Sequence, residues 1–306
     1  MRIAFLGYGE LGANVLRGVL AEHEVVLVVT HRADFSGLGE PDVELVAGEL
    51  GVPVWYSAHA REPELHERLR EARPDVILST NWRTRVPAEV LSIPHRGAIN
   101  VHDALLPRYA GFGAVNWAIR NGETETGLTV HYMDRELDTG PVITRKVVKI
   151  GPHDSAGYVL NNLLAEYVPV TLRALELVEQ GHPGEPQPQT GGSFYHRIGE
   201  ADTRIDWGAS TTSVYNLIRG QSDPFVNAWT THDGLRLWIK AASQPQRAHG
   251  GTPGRIIKAA EDGVAVACGQ PGDPDARGVI LLQVQADGAP PVRAVDYFLR
   301  FGDYLR

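Results

Sequence analysis

Short apolar runs alternate with helically spaced segments along the first half of the chain. Arg2–Gly7, RIAFLG, reads as a buried strand ending in glycine. Leu11–Glu22 follows with Leu11, Val15, Leu16, Val19 and Leu20 on one helical face. Glu24–Thr30, EVVLVVT, is rich in β-branched residues and too short for a typical helix, so it predicts a strand. The same reasoning predicts a helix over Asp42–Leu50 behind Pro41, a strand at Val52–Trp55, a helix over Glu62–Ala72 ended by Pro74, and strands at Asp75–Ser79 and Gly97–His102. Strand and helix in alternation make a parallel α/β sheet with helices on both faces. The continuous apolar character of the strands fits a sheet covered on both sides.

After Asp154 a helical pattern runs through Glu179. The next thirteen residues, 180–192, hold three prolines and four glycines, a composition that neither sustains a helix nor buries apolar surface. Beyond Ser193 the pattern changes to one helix near Ser213–Arg219 and short strands at Leu235–Ala241, Arg255–Lys258, Val264–Cys268 and Val279–Val284. That spacing predicts a small open β-barrel of the OB-like kind. The expected organisation is a domain over 1–180, a linker at 181–192 and a second domain over 193–306.

A length of 306 residues suits two domains, and 43% apolar residues supply a core for each. The formal charge of −8 argues against a polyanionic partner, because phosphate neutralisation by basic residues carries most nucleic-acid affinity. Cys268 is the one cysteine, so neither an internal disulfide nor a thiolate metal cluster can form. No stretch approaches the ~20 apolar residues of a membrane span, and no leader pattern stands at the N-terminus. The expectation is a soluble cytoplasmic protein without a membrane partner.

Two motifs compete for the chemistry. Gly7-Tyr8-Gly9-Glu10-Leu11-Gly12 fits the dinucleotide fingerprint G-x-G-x-x-G. The acid that should end the second strand is missing. Thr30-His31-Arg32 stands there, with Asp34 the nearest carboxylate, which leaves an NADP-binding oxidoreductase as one reading through Arg32. The plainer reading is a tight strand-to-helix turn that needs glycine.

The second motif is spread over two loops. Asn100 and His102 lie two apart at a strand end and so face the same side. A strand over Gly127–Tyr132 leads into a loop carrying Asp138. An amide that donates to an oxyanion, an imidazole that handles protons and a carboxylate that orients the imidazole suit acyl transfer. A metal set from His95, His102, His131 and Asp103 is the alternative use of these side chains, but their spacing matches no ligand pattern, and no metal is expected.

The run Asn100-x-His102, then Leu105-Leu106-Pro107-Arg108-Tyr109-x-Gly111, Asn116-Trp117-Ala118-Ile119, Gly122-Glu123, Gly127 and Asp138-x-Gly140 resembles the folate-dependent formyltransferases. Asp202-Thr203-Arg204-Ile205-Asp206-Trp207, Ser222-Asp223-Pro224-Phe225 and Gly251-Thr252-Pro253-Gly254-Arg255 extend the resemblance over nearly the whole chain, in the two-domain layout of methionyl-tRNA formyltransferase. The resemblance implies a Rossmann-like sheet followed by a small barrel domain. It implies that 10-formyltetrahydrofolate is the co-substrate and that Asn100, His102 and Asp138 are catalytic. It places the pterin between two loops, with Asn81, Trp82, Arg83, Thr84 and Val86 on one and Met133, Asp134 and Leu137 on the other. It also implies that the first-turn glycines are not a nicotinamide site.

The acceptor is read from the departures. Segment 33–42 holds three acids and no base where the transfer-RNA enzymes carry a basic insertion, so nucleic acid is not expected. Ala104, Ala110 and Phe112 replace more polar or basic residues of the family, which predicts a smaller and less cationic entrance. Asn81-Trp82-Arg83-Thr84, Tyr109-Ala110-Gly111-Phe112 and Gln221-Ser222-Asp223-Pro224 resemble the formyltransferases of siderophore pathways. The expected substrate is therefore a small amine, the side-chain nitrogen of ornithine or hydroxyornithine. A nucleotide-linked amino sugar is the alternative, ahead of methionyl-tRNA.

Overall fold

A computed structural model describes residues 1–31 and 43–306. In chain order the elements are β1 (Arg2–Gly7), α1 (Gly9–Leu20), β2 (Glu24–Thr30), α2 (Val43–Glu49), β3 (Val54–Tyr56), α3 (Pro63–Ala72) and β4 (Val76–Thr80). Then come α4 (Ala88–Leu91), β5 (Ala98–His102), β6 (Ala110–Gly111), α5 (Ala114–Arg120), β7 (Glu125–Tyr132), β8 (Val142–Lys149), α6 (Ala156–Glu179) and β9 (Phe194–Tyr195). The remainder is α7 (Thr211–Gly220), β10 (Ala228–His232), β11 (Leu235–Ser243), β12 (Ile256–Ala260), β13 (Gly263–Val266), β14 (Val279–Ala286), β15 (Val292–Arg293) and α8 (Ala294–Tyr297). Arg32, Asp34, Pro41, the start of the helix expected from Asp42 and the acidic segment 33–42 lie outside the described residues.

Seven strands form one sheet in the order β3-β2-β1-β4-β5-β7-β8. The first five run parallel, as their apolar runs predict, and β7 pairs antiparallel with β5. Ala4, Leu6, Leu27, Val29, Ile77 and Ala98 project from these strands into a core shared with Leu65 and Leu69 of α3 and Val90 of α4. Helix α3 starts with Pro63 in its first turn and stops at Arg73, whose φ of +47° ends the right-handed run. Strand order reverses direction across β1, and ligands of such sheets bind beyond the carboxyl ends of the strands. His102 closes β5 at that end.

The sequence pattern overlooks α4, α5, β8 and β10. Helices α4 and α5 have four and seven residues, too few turns for periodicity to register. Strand β8, VITRKVVK, mixes buried Val142, Ile143 and Val148 with exposed charges at one end of the sheet.

The chain divides into two compact units. The second comprises residues 112–126, 149–161 and 195–306. Its core sits on an open antiparallel sheet in the order β10-β11-β14-β13-β12, with β15 paired to β14. Helix α7 packs Val214, Tyr215 and Ile218 into that core and is capped by Ser210, whose side chain accepts from the Ser213 amide. Cys268 is buried in the same core. No described helix is long and apolar enough to cross a membrane.

Segment 180–192, expected to be a linker, is hydrogen-bonded within the first unit over residues 180–187 and again at Ser193 just beyond it. Glu185 exchanges both backbone hydrogen bonds with Val142, and the Ser193 amide donates to the Pro107 carbonyl. The Tyr132 hydroxyl donates to the His182 carbonyl. Proline and glycine content correctly excludes a helix here, but says nothing about an irregular strap held by its backbone.

Candidate functional site

Strand β5 brings Asn100 and His102 to one face, as their two-residue spacing predicts. Antiparallel pairing with β7 sets His131 opposite Asn100 and Thr129 opposite His102. Thr129 fixes the loop that follows. Its hydroxyl donates to the Ala104 carbonyl at 2.6 Å and accepts from the Leu106 amide at 3.2 Å. The loop then brings the Tyr109 carbonyl to 2.9 Å from His102 Nε2. A carbonyl only accepts, so Nε2 carries a proton and Nδ1 faces the carboxylates.

Those carboxylates are Asp138 and Asp103, with oxygens 3.7 Å and 3.9 Å from His102 Nδ1. Asp138 sits between two imidazoles. Its Oδ2 faces His102 and accepts from the Gly111 amide at 2.9 Å, while its Oδ1 lies 3.5 Å from His131 Nε2. His131 Nδ1 donates to the Tyr132 carbonyl at 2.8 Å, and its Nε2 is 3.4 Å from the Asn100 amide nitrogen. The amide, two rings and a carboxylate thus form one chain of contacts around a side chain only 10% exposed.

Burial works against both charges here, and the partners win. For Asp138, desolvation raises the pKa. The His102 charge, His131 and the Gly111 amide together hold it well below the usual carboxylate range. For His102, burial favours the neutral ring, but the Asp138 and Asp103 charges and the Tyr109 carbonyl raise its pKa above 6.5. The carboxylates thus favour the charged form of the buried His102 ring, which lies in the same contact chain as the Asn100 amide. Such preorganised charge stabilises an oxyanion without further reorganisation.

Residues 1–175 match the formyl transferase family, and residues 197–302 match its C-terminal domain. The chain belongs to the formyl transferase family. A methionyl-tRNA formyltransferase of Stenotrophomonas maltophilia is 32% identical over 304 residues, covering 97% of this chain and 96% of that relative. Among solved structures, an N-formyltransferase from Helicobacter canadensis in complex with folinic acid and dTDP-3-aminofucose aligns with a TM-score of 0.68. Its identity is 18%, over 93% of this chain and 98% of that one. A sugar 3N-formyl transferase aligns at the same TM-score with 16% identity, over 95% and 99% of the two chains. This formyl transferase takes its one-carbon unit from 10-formyltetrahydrofolate.

The residues expected to hold folate fall on two loops of the formyl transferase that meet in the structure. Trp82 and Met133 both pack against the core cluster that contains Val86. Arg85 Nη2 lies 3.4 Å from Glu136 Oε1, linking the loops at the surface. Asn81 donates to the Tyr8 carbonyl at 2.9 Å, and Thr84 donates to the Ala58 carbonyl at 2.7 Å. Asp134 Oδ1 accepts from the Glu136 amide and the Thr139 hydroxyl, closing a turn within its own loop. Arg83 lies over the Tyr8 ring, and Leu137 is 38% exposed. Several of these side chains are engaged in shaping the loops.

The first-turn glycines are explained by packing. A Cβ on Gly12 would press on Val43 and the Gly7 backbone. Tyr8 stacks on His31 with ring centroids 4.5 Å apart, at the end of the strand where a dinucleotide site would need an acid. Among the described residues no group of His, Cys, Asp and Glu is arranged to hold a metal. His95 pairs instead with Asp75.

Two expectations about the entrance are corrected. Ala104 is fully buried, its carbonyl bound by Thr129, so it lines no opening. Phe112 carries the Arg197 guanidinium over its ring at 5.1 Å, so that position brings a cation with it. His131 is the residue sequence reasoning passed over as a participant. Its place opposite Asn100 depends on strand register, which no local pattern encodes.

Gly140 of the Asp138-x-Gly140 pair is needed for contact between backbones. A Cβ there would overlap the Tyr132 carbonyl oxygen, at the point where the Tyr132 amide donates to the Pro141 carbonyl. Gly140→Ala should destabilise the protein by about 1–3 kcal/mol. It should also lower turnover by moving Asp138. A melting temperature and turnover equal to those of the parent would contradict that contact.

Proposed function

We propose that Asn100, His102 and Asp138 carry formyl transfer from 10-formyltetrahydrofolate to a small amine. The observation that carries this reading is the Asp138 carboxylate set between His102 and His131, beside the Asn100 amide. We assign folate binding and transfer, in the cytoplasm, to the N-terminal part expected over 1–180, with segment 181–192 bound to the first unit ahead of the C-terminal part.

The uncharged amine attacks the formyl carbon, a C–N bond forms, and the carbonyl electron pair moves to oxygen. Both ring nitrogens of His102 face acceptors. The imidazolium therefore contributes its positive charge, and the Asn100 amide supplies the N–H. Asp138 accepts the amine proton, directly or through water. Collapse breaks the bond between the formyl carbon and the folate nitrogen, and the proton taken from the amine is passed on by Asp138 through water to that leaving nitrogen, which restores the carboxylate.

For the acceptor we propose the side-chain nitrogen of ornithine or hydroxyornithine. The formal charge of −8 and the acids Asp34, Glu40 and Asp42 disfavour an acceptor stem. The loop sequence Tyr109-Ala110-Gly111-Phe112 supports a small amine. The sugar enzymes that share the fold favour a second reading, a nucleotide-linked amino sugar. The 32% identity to methionyl-tRNA formyltransferases makes transfer RNA the third arm of the test.

The experiment is a competition at equal concentration among ornithine, hydroxyornithine, a dTDP-linked amino sugar and methionyl-tRNA, read by mass spectrometry for a gained carbonyl. Formylation of ornithine or its hydroxylated form is expected. Exclusive formylation of the sugar nucleotide would overturn the ornithine reading and leave small-amine transfer standing. A preference for transfer RNA would overturn the electrostatic argument.

A further inference from the structure

We infer that Gln187 is a positioning residue for formyl transfer, acting through the backbone of Asp138. The inference rests on the reading of Asp138 as part of the transfer machinery. The carboxamide nitrogen of Gln187 lies 2.8 Å from the Asp138 carbonyl and 2.8 Å from the Gly140 carbonyl. A carboxamide nitrogen has two hydrogens, and both are taken up by one loop. Gln187 therefore bridges two carbonyls that flank Thr139.

That bridge lies where the backbone needs it. Asp138 has a φ of +58°, a left-handed conformation uncommon outside glycine, although aspartate adopts it more readily than most residues. Such a residue persists only where its surroundings over-determine it. The Gly111 amide and the two imidazoles fix the carboxylate end of Asp138. Gln187 fixes the main-chain end.

The strap that carries Gln187 is itself anchored on both sides. Before it, Glu185 pairs with Val142 at 2.7 Å and 2.8 Å. After it, the Ser193 hydroxyl accepts from the Tyr109 amide at 2.9 Å, and the Ser193 carbonyl accepts from the Ala110 amide at 2.9 Å. Tyr109 is the second left-handed residue at the site, with a φ of +60°, and its carbonyl holds His102. One segment, distant in sequence from both catalytic loops, thus ties the Asp138 loop to the Tyr109 loop.

The test is a double-mutant cycle on the full chain. Gln187→Met keeps the length of the side chain and removes both donors; Gln187→Ala removes the side chain. Each is expected to lower kcat about tenfold to a hundredfold, the range expected when a catalytic group shifts by an ångström. Each should also move the alkaline limb of the pH–rate profile to lower pH, because a displaced carboxylate supports the His102 charge less. In an Asp138→Asn background the same replacements should cost less than about twofold, because residues acting as a unit are non-additive. Unchanged kcat and alkaline limb in both Gln187 variants would overturn the inference. Equal losses in the parent and Asp138→Asn backgrounds would overturn it alone and leave Asp138 its role. A fully active Asp138→Asn protein would overturn the reading of Asp138 and this inference with it.

Discussion

Asp138→Asn should reduce kcat by about 10³–10⁴-fold while leaving the protein folded. Asparagine is nearly isosteric with aspartate and tolerates the left-handed backbone that Asp138 adopts. The amide oxygen can still accept from the Gly111 amide. What disappears is the charge between two imidazoles. Without it, only Asp103 and the Tyr109 carbonyl oppose burial at His102, so its pKa falls relative to the parent. The alkaline limb of the activity profile should therefore shift to lower pH in the variant.

The acid limb follows different logic. Asp138 is held well below its ordinary 3.8, so it stays ionised throughout the range in which the enzyme is assayed. Loss of activity below neutrality in the parent enzyme then reports protonation of the attacking amine. It should move with the acceptor's pKa when the acceptor is changed.

Stability follows from the same shifts. Asp138, with a depressed pKa, stabilises the fold above 3.8 and ceases to as pH falls through its folded value. His102, with a raised pKa, stabilises the fold below 6.5 and ceases to as pH rises through its folded value. The two contributions overlap between 3.8 and 6.5. Urea melts across pH should show that dependence flattened in Asp138→Asn; an unaltered dependence, or an active variant, would remove Asp138 from the role assigned to it.

The parallel sheet was legible because its signals are local. RIAFLG, EVVLVVT and DVILS are apolar runs of strand length between helical patterns, and the observed β1, β2 and β4 lie on them. That Asn100 and His102 share one face was legible because a strand alternates with period two, and the structure sets Asp138, singled out through the family resemblance, beside them. His131 was not legible, since its position opposite Asn100 is a matter of register between strands about thirty residues apart. The strap over 180–192 failed for a related reason. Glu185 within it, and Ser193 just beyond it, bond to the backbones of Val142 and Pro107, and composition carries no information on backbone partners. Ala104 failed as an entrance residue because the loop after β5 turns inward around the Thr129 hydroxyl. The misses at His131, the strap and Ala104 involve long-range contacts, those at α4 and α5 elements too short for periodicity, whereas the parallel strands rest on local apolar runs.

His102→Ala should abolish measurable turnover while 10-formyltetrahydrofolate still binds. The ring is 7% exposed, and both its nitrogens are engaged, by the Tyr109 carbonyl and by the carboxylates. Its removal leaves a cavity and takes the positive charge out of the site. Asp138 keeps the Gly111 amide and His131 as partners and so remains a carboxylate. The site then presents net negative charge where a negative oxygen must develop, which goes beyond the loss of a single donor. Removing one oxyanion donor costs on the order of 10²–10³ in turnover, and the carboxylate charge left unopposed should make the loss larger. The loops expected to hold the pterin carry Trp82, Val86 and Met133 against a core that does not include His102. Folate affinity should therefore change by no more than about threefold, far less than the 1.4 kcal/mol that a tenfold change represents. Imidazole added to the His102→Ala protein should restore part of the activity by entering the cavity beside Asp138. The rescue should follow the fraction of imidazole that is protonated. Turnover near that of the parent enzyme, or loss of folate binding in a protein that melts normally, would show that the charge beside Asp138 does other work than transition-state stabilisation.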